Sequence, residues 1–297
     1  MSRRGAVSKS FCDRWNGRTT TEAAGKALEA MIPTITKSGI PVNVELAAKY
    51  VGIEQTTEIE TSSFDGLLSE TKAGMYFVTL RKGQSEVRKR FTLAHEVGHA
   101  IVYRSIGRQG TATEKGQLKC RAETADEKDE ERLCDLLATQ LLMPREQFMR
   151  TMDEAGVCAQ SVPEIARRFG VSLEAACRRL IELLPYEIGI GFWFMDEGAA
   201  RVIPKWYFTR RGVSQLEHTI SVGSPGSRCF TNENVRDWQW LPLHGHIDKY
   251  FVDVSPLETQ RNSWLMFVVF DSAAEHIITT LSKGRSPTTV QLPLIDD

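Results

Sequence analysis

The sequence predicts an α+β protein: a small sheet with a group of helices first, then a separate β-rich α+β domain. Three observations carry this reading. Apolar residues recur at helical spacing through 19–32, 44–51, 91–106 and 126–143. Short β-type runs at 64–68 and 75–80 sit among those helices. From Pro185 the texture changes to aromatic, β-rich runs at 188–194, 202–208 and 264–270, broken by turns such as Gly223-Ser224-Pro225-Gly226. The expected divisions are a flexible tail at 1–20, a first domain at 21–150, a helix-turn-helix-like segment at 151–185 and a C-terminal α+β domain at 186–297.

The elements follow in order. The tail is basic (Arg3, Arg4, Lys9, Arg14, Arg18) and reads as poorly ordered. A first helix starts at caps in 19–21 and carries Ala23, Leu28 and Met31; a second, after Pro41, carries Val44, Ala47 and Val51 and stops at Gly52. The two strand-like runs are joined through Lys72-Ala73-Gly74. The basic patch Arg88-Lys89-Arg90 leads into a third helix, and it reads either as a solvated helix start or as a rim facing a substrate. A polar stretch from Gly107 to about Asp126 reads as a long loop. The acidic run at 126–131 opens a fourth helix, well placed against the positive end of its dipole, and Met143-Pro144 ends or redirects it. Residues 161–180 scan as helix, Gly170 turn, helix, with Arg167, Arg168, Arg178 and Arg179 able to meet phosphates if the unit reads DNA. The C-terminal tryptophans read as core, and His244-Gly245-His246 lacks the further ligand that would make it a metal site.

Composition narrows the function. With 297 residues, 41% hydrophobic and 25% charged, the chain is an ordinary globular protein large enough for one substantial core or two modest ones. A formal net charge of −1 implies neither a nucleic-acid coat nor a binder of acidic substrates. The six cysteines (Cys12, Cys120, Cys134, Cys158, Cys177, Cys229) include no Cys-x-x-Cys pair, which suits reduced thiols in a cytoplasm. No apolar core follows the basic N-terminus and no run is long enough to span a bilayer, so the expected location is cytoplasmic, with no membrane.

The chemistry concentrates in Phe91-Thr92-Leu93-Ala94-His95-Glu96-Val97-Gly98-His99-Ala100. On a helix, residues four apart share a face, so His95 and His99 can offer both imidazoles to one ion. Glu96 lies about 100° further round, placed to act on a water rather than to bind the ion. Ala94, Val97 and Ile101 make an apolar stripe opposite, as a buried helix with one face open to a cleft requires. Two nitrogen ligands beside a carboxylate base are the parts of a metal hydrolase.

Such a site needs a third protein ligand and one open position. Glu131 is the choice, with Asp135 one turn on to accept the free ring N–H of a ligand histidine and hold it in orientation. Glu127 and Glu130 are rivals that spacing alone does not exclude. The ion expected is zinc, while a carboxylate ligand also suits manganese or iron(II).

Arg90-Phe91-Thr92-Leu93-Ala94-His95-Glu96-Val97-Gly98-His99, then Glu131-Arg132-Leu133-Cys134-Asp135 and Leu141-Leu142-Met143-Pro144, resemble the ImmA/IrrE metallopeptidases over roughly residues 40–183. Val97 stands where that pattern has Leu, and Asp135 where it has Asn. The resemblance implies a zincin-like domain of gluzincin layout with Glu131 as ligand. It also implies cleavage of a helix-turn-helix repressor, which releases stress-response or mobile-element genes, and a GAF-like C-terminal domain with a regulatory role. Two other functions fit parts of the sequence: a DNA-binding regulator that keeps a vestigial metal site, and a sensor whose metal is structural. DNA binding is secondary to the protein substrate in the leading reading.

Overall fold

The computed structural model describes residues 5–33, 39–71, 74–107, 124–184, 188–209, 212–213, 220–222, 224–243, 246–257 and 262–269. The chain divides into two compact units, Met1–Phe148 with Arg167–Ser172, and Met149–Ala166 with Leu173–Asp297.

The first unit runs α1 (Ala6–Trp15), α2 (Thr20–Met31), α3 (Val44–Tyr50), β1 (Ile53–Ile59), β2 (Gly66–Glu70), β3 (Tyr76–Arg81), α4 (Glu86–Ile106) and α5 (Ala125–Leu142). Its sheet has the order β1-β3-β2, with β1 parallel and β2 antiparallel to the central β3. Tyr76, Val78 and Leu80 alternate inward along β3, and α4 lies against β2 and β3. Helix α5 packs on α4, with α1 and α2 on α5, so α4 lies between the sheet and the other helices.

Residues 6–15 correct the expectation of a flexible tail. They form α1, capped at Asn16, with Val7, Phe11 and Cys12 buried on one face at helical spacing. Of the charges that suggested disorder, Lys9 and Arg14 lie exposed on its other face. Trp15 Nε1 donates to Ser105 Oγ at 2.9 Å near the end of α4, and Ser8 N and Oγ both donate to Asp129 of α5 at 2.7 Å. Strand β1 was also not expected. Six of its seven residues are exposed, so it has no hydrophobic alternation, and the backbone ladder to β3 is what makes it a strand. The turn residues Lys72 and Ala73, and 108–123 of the expected loop, lie outside the described residues.

After Pro144 the chain enters α6 (Arg145–Ala155), a helix the sequence reading did not contain, with Phe148 and Met152 fully buried. Helices α7 (Val162–Phe169) and α8 (Leu173–Leu183) follow, separated by Gly170 at φ +62°, the left-handed conformation the turn requires.

Among the described residues the second unit also has seven antiparallel strands: β4 (Ile188–Asp196), β5 (Arg201–Thr209), β6 (Gly212–Val213), β7 (Ile220–Ser221), β8 (Val235–Leu243), β9 (His246–Pro256) and β10 (Ser263–Val269). Their order is β6-β5-β4-β10-β9-β8, with β7 also on β5. Trp193, Tyr207, Val252, Val254, Trp264 and Met266 belong to one buried cluster. Trp193 and Trp264 are core as expected, whereas Trp238 is 43% exposed. His244 lies outside the described residues.

Helix α8 does not stand apart as the expected segment at 151–185. It packs on β4 and β5 and belongs with the C-terminal sheet. Arg178 stacks 3.9 Å over Phe208 and bonds Glu174, while Arg179, 2% exposed, pairs with Glu182 at 2.8 Å. Fully buried Asp253 accepts from Ala159 N–H at 2.8 Å and Arg236 Nε at 3.0 Å, fixing the turn before α7 to β8 and β9.

Phe11→Ala is expected to cost about 3–4 kcal/mol in urea denaturation, as for a core aromatic. A loss below about 0.5 kcal/mol would return residues 6–15 to the status of a loose tail.

Candidate metal centre

Helix α4 begins where Ser85 accepts from Arg88 N and ends at Gly107, φ +66°. Its buried side carries Leu93, Ala94, Val97, Ala100 and Ile101. Helix α5 begins in a capping box: Thr124 accepts from Glu127 N, and the Glu127 carboxylate accepts from Thr124 N. The two helices meet at Gly98, where a Cβ would lie 3.0 Å from the Cys134 carbonyl oxygen and 3.1 Å from its Cα. A side chain there would push α5 away, and with it the acids that face the histidines.

The approach brings His95, His99 and Glu131 together, with one ligand atom of each within 4.8 Å of the others. Glu131 Oε2 is 3.1 Å from His95 Nε2, and its Oε1 is 3.5 Å from His99 Nε2. The other ring nitrogens face different acids: His95 Nδ1 is 2.9 Å from Asp135 Oδ1, and His99 Nδ1 is 3.1 Å from Glu130 Oε1. Thus Asp135 lies on the first histidine. The two rivals for Glu131 are occupied otherwise, Glu127 in the helix cap and Glu130 behind His99.

Carboxylates only accept hydrogen bonds, so each ring nitrogen facing one carries a proton unless a metal replaces it. Burial works against the charged form of His95, but Asp135 and Glu131 outweigh it and lift its pKa to about 9. His99 is likewise raised well above the ordinary value: burial opposes the charge, and Cys134, Glu130 and Glu131 favour it. Glu131 is driven far below the usual carboxylate range by its bonds to His95 and then His99. The carboxylates that face the ring nitrogens thus make the space between the two Nε2 atoms and Glu131 favourable to positive charge. Two imidazole nitrogens and one carboxylate, with the opposite ring nitrogens already oriented, fit a divalent ion of the zinc type and leave a coordination position open.

Glu96 is almost fully buried, and burial raises its pKa, against the pull of His99 and His95. Its carboxylate accepts the Leu68 N–H of β2. The strand comes this close because residue 66 is glycine; a Cβ there would sit 2.4 Å from Thr92 Cγ2 and 2.7 Å from Glu96 Oε1. Asp65 holds the start of β2 in place, accepting from Arg81 Nε at 2.9 Å and from Arg88 Nε at 3.0 Å, with the Asp65 carbonyl accepting from Gln84 Nε2 at 2.8 Å. The basic patch is thus structural rather than a substrate rim: Arg88 binds Asp65, Lys89 binds Glu58, and Arg90 donates to the Val42 and Gly170 carbonyls.

Sequence reasoning missed Glu130 as the partner of His99, Gly98 as the helix contact, and Gly66, Leu68 and Asp65 as the support for Glu96. Tyr103, eight residues after His95 and on the same face of α4, was missed as well; its hydroxyl is hydrogen-bonded to Glu130. The one signal available in advance was the glycine between Val97 and His99, since a glycine inside a helix marks a close approach.

The fold and the cluster define an α+β domain built around a His-Glu-x-x-His helix with an acid from the next helix. Residues 48–181 match the IrrE N-terminal-like domain of the M78 peptidases. The radiation response metalloprotease IrrE of Deinococcus radiodurans is 32% identical over 104 residues, 34% of this chain and 29% of that protein. The chain thus aligns with less than a third of the length of this curated relative. A Mycobacterium tuberculosis transcriptional regulator superposes on 95% of this chain and 86% of its own, with a TM-score of 0.49 and 17% identity, a likeness too distant to bear on function. Residues 48–181 are thus similar to the IrrE N-terminal-like domain, over the stretch where the sequence resembles the ImmA/IrrE metallopeptidases.

Two outcomes are expected. The protein binds one divalent ion per chain, and Glu131→Gln weakens that binding by at least about 100-fold in a chelator competition while leaving the metal-free circular dichroism unchanged. The Asp65 carboxyl is held below its ordinary 3.8, by its bond to Arg88 first and despite some burial, so its stabilisation is present above that pH and is lost as pH falls through the lower folded value. Asp65→Asn should therefore cost about 1 kcal/mol at pH 7, with the gap in urea midpoint from the wild type closing below pH 3.8.

Proposed function

We propose that this chain is a metal-dependent endopeptidase, with His95, His99 and Glu131 holding the ion and Glu96 as the proton carrier. The observation that carries the reading is the placement of Glu131 across both Nε2 atoms, with Glu96 buried on the adjoining face. A divalent ion in this site, zinc by its donor set, supplies Lewis acidity for the scissile carbonyl and for a water. Glu96 accepts the proton of the attacking water and delivers it to the leaving amine nitrogen. Its burial raises its proton affinity toward the range useful for that exchange, and the Leu68 N–H fixes the carboxylate's direction. Among the described residues β2 lies at the edge of its sheet, so an extended peptide can add beside it along the same side of α4.

The proposed substrate is a helix-turn-helix transcriptional repressor, whose cleavage relieves repression of stress-response or mobile-element genes in the cytoplasm. The match to the IrrE N-terminal-like domain supports this, as does the radiation-response name of the Deinococcus relative. No helix among the described residues is long and apolar enough to cross a membrane. The second unit, with its seven-stranded antiparallel sheet, is proposed as a GAF-like regulatory domain. The DNA-binding alternative is not favoured. Arg178 and Arg179 are engaged within the second unit, and Arg167 and Arg168 are not free.

The test is incubation of the purified chain with helix-turn-helix repressors encoded near its gene, with and without chelator. A specific cut should appear, vanish with chelator, and fall by about 100-fold or more in Glu96→Gln at unchanged metal content. Full cleavage by that variant would remove Glu96 from the mechanism. Salt-dependent, sequence-selective DNA binding with no cut would favour the regulator.

A further inference from the structure

His95 and His99 are oriented by acids of opposite character. Asp135, behind His95, is 58% exposed, whereas Glu130, behind His99, is 10% exposed. Water competes for the first contact and is nearly excluded from the second. A buried carboxylate is costly unless donors satisfy it. Its donors include His99 Nδ1 at 3.1 Å and the Tyr103 hydroxyl. Tyr103 is one turn beyond His99, their ring centroids 5.7 Å apart. Adjacent residues of a helix diverge by about 100°, and here that divergence lets Glu130 and Glu131 grip one imidazole from two sides, Glu130 at Nδ1 and Glu131 at Nε2.

We propose that Glu130 and Tyr103 are positioning residues: the Tyr103 hydroxyl fixes the Glu130 carboxylate, which holds the His99 proton on Nδ1 and turns Nε2 toward the ion. The inference rests on the metal-site reading above. It separates two acids that are neighbours in sequence, making Glu131 the ligand and Glu130 the group that selects the tautomer. Because Glu130 is buried and Asp135 is not, His99 depends on its acid more strongly than His95 does.

The experiment uses the full chain. Zn2+ affinity is measured by competition with a chromophoric chelator, and the histidine tautomers are read by 15N imidazole NMR of the Zn2+-loaded protein. Glu130→Ala should weaken binding by about 10- to 100-fold, more than Asp135→Asn, and should remove the protected Nδ1–H signal of His99. Tyr103→Phe keeps the ring but loses the hydroxyl, and should weaken binding by about 3- to 10-fold while broadening that signal. Glu130→Gln keeps an acceptor oxygen and should recover most of the affinity lost in Glu130→Ala. Unchanged affinity and an unchanged His99 signal in Tyr103→Phe, the variant least disturbing to the fold, or wild-type binding in Glu130→Ala, would overturn the proposal. Loss in Glu130→Gln as deep as in Glu131→Gln would also overturn it, by making Glu130 a ligand. A wild-type chain that binds no Zn2+ would instead remove the metal-site reading itself.

Discussion

The metal centre depends on how closely two helices approach. Each contributes an incomplete set: α4 has imidazoles and a buried acid, α5 has carboxylates. At Gly98 the backbone of α5 comes within van der Waals distance of α4, at the turn that lies between the two histidines. From there the acids of α5 reach ring nitrogens without long, mobile side chains between them. Helix α1 supports the same contact from outside, through Asp129, which precedes Glu130 and Glu131, and through Ser105 near the end of α4. The N-terminal residues thus belong to the scaffold that sets the donor spacing.

Charge explains why such an arrangement needs an ion. Glu96, Glu130, Glu131 and Asp135 surround two imidazoles, and three of the four make direct contacts to ring nitrogens. With both histidines neutral, four negative charges would share a partly buried volume. Protonation of the histidines relieves this in part, which is the physical content of the high His95 and low Glu131 proton affinities. A divalent cation supplies the same two positive charges with both rings neutral, which frees both Nε2 atoms to act as ligands. Glu96 differs from the other acids in facing a backbone N–H of β2, so it keeps its own hydrogen bond outside the ligand set.

How much of this was readable in advance follows from the range of the interactions. The pair His95 and His99 is set by helical repeat alone, and repeat is written in the sequence. Which of Glu127, Glu130 and Glu131 meets them depends on the rotation of α5 about its axis, a tertiary quantity; the family resemblance pointed to Glu131, and spacing did not. Glu127 is settled by local capping, Glu130 by a buried contact with no local signature. Strand β1 was invisible because its stability comes from pairing with β3, not from side-chain pattern. Helix α1 was misread because basic residues dominated a segment whose Phe11 and Cys12 supply the packing.

The helix-turn-helix reading shows the same limit in its sharpest form. Spacing and Gly170 gave both helices correctly, and the arginines gave a motive for DNA. Whether an arginine faces solvent or structure is decided by what covers it, and for α8 that cover comes from strands later in the chain. Arg178 lies on Phe208 and Arg179 is almost wholly buried, so their charge serves packing and pairing inside the second unit. Asp253 extends the argument: a buried acid in a central strand accepts from the turn that precedes α7 and so joins the helices to the sheet. A segment fixed to its own sheet by a hydrogen bond to a buried acid and a stacked guanidinium presents these arginines to its own unit, and a phosphate would have to displace those partners to reach them.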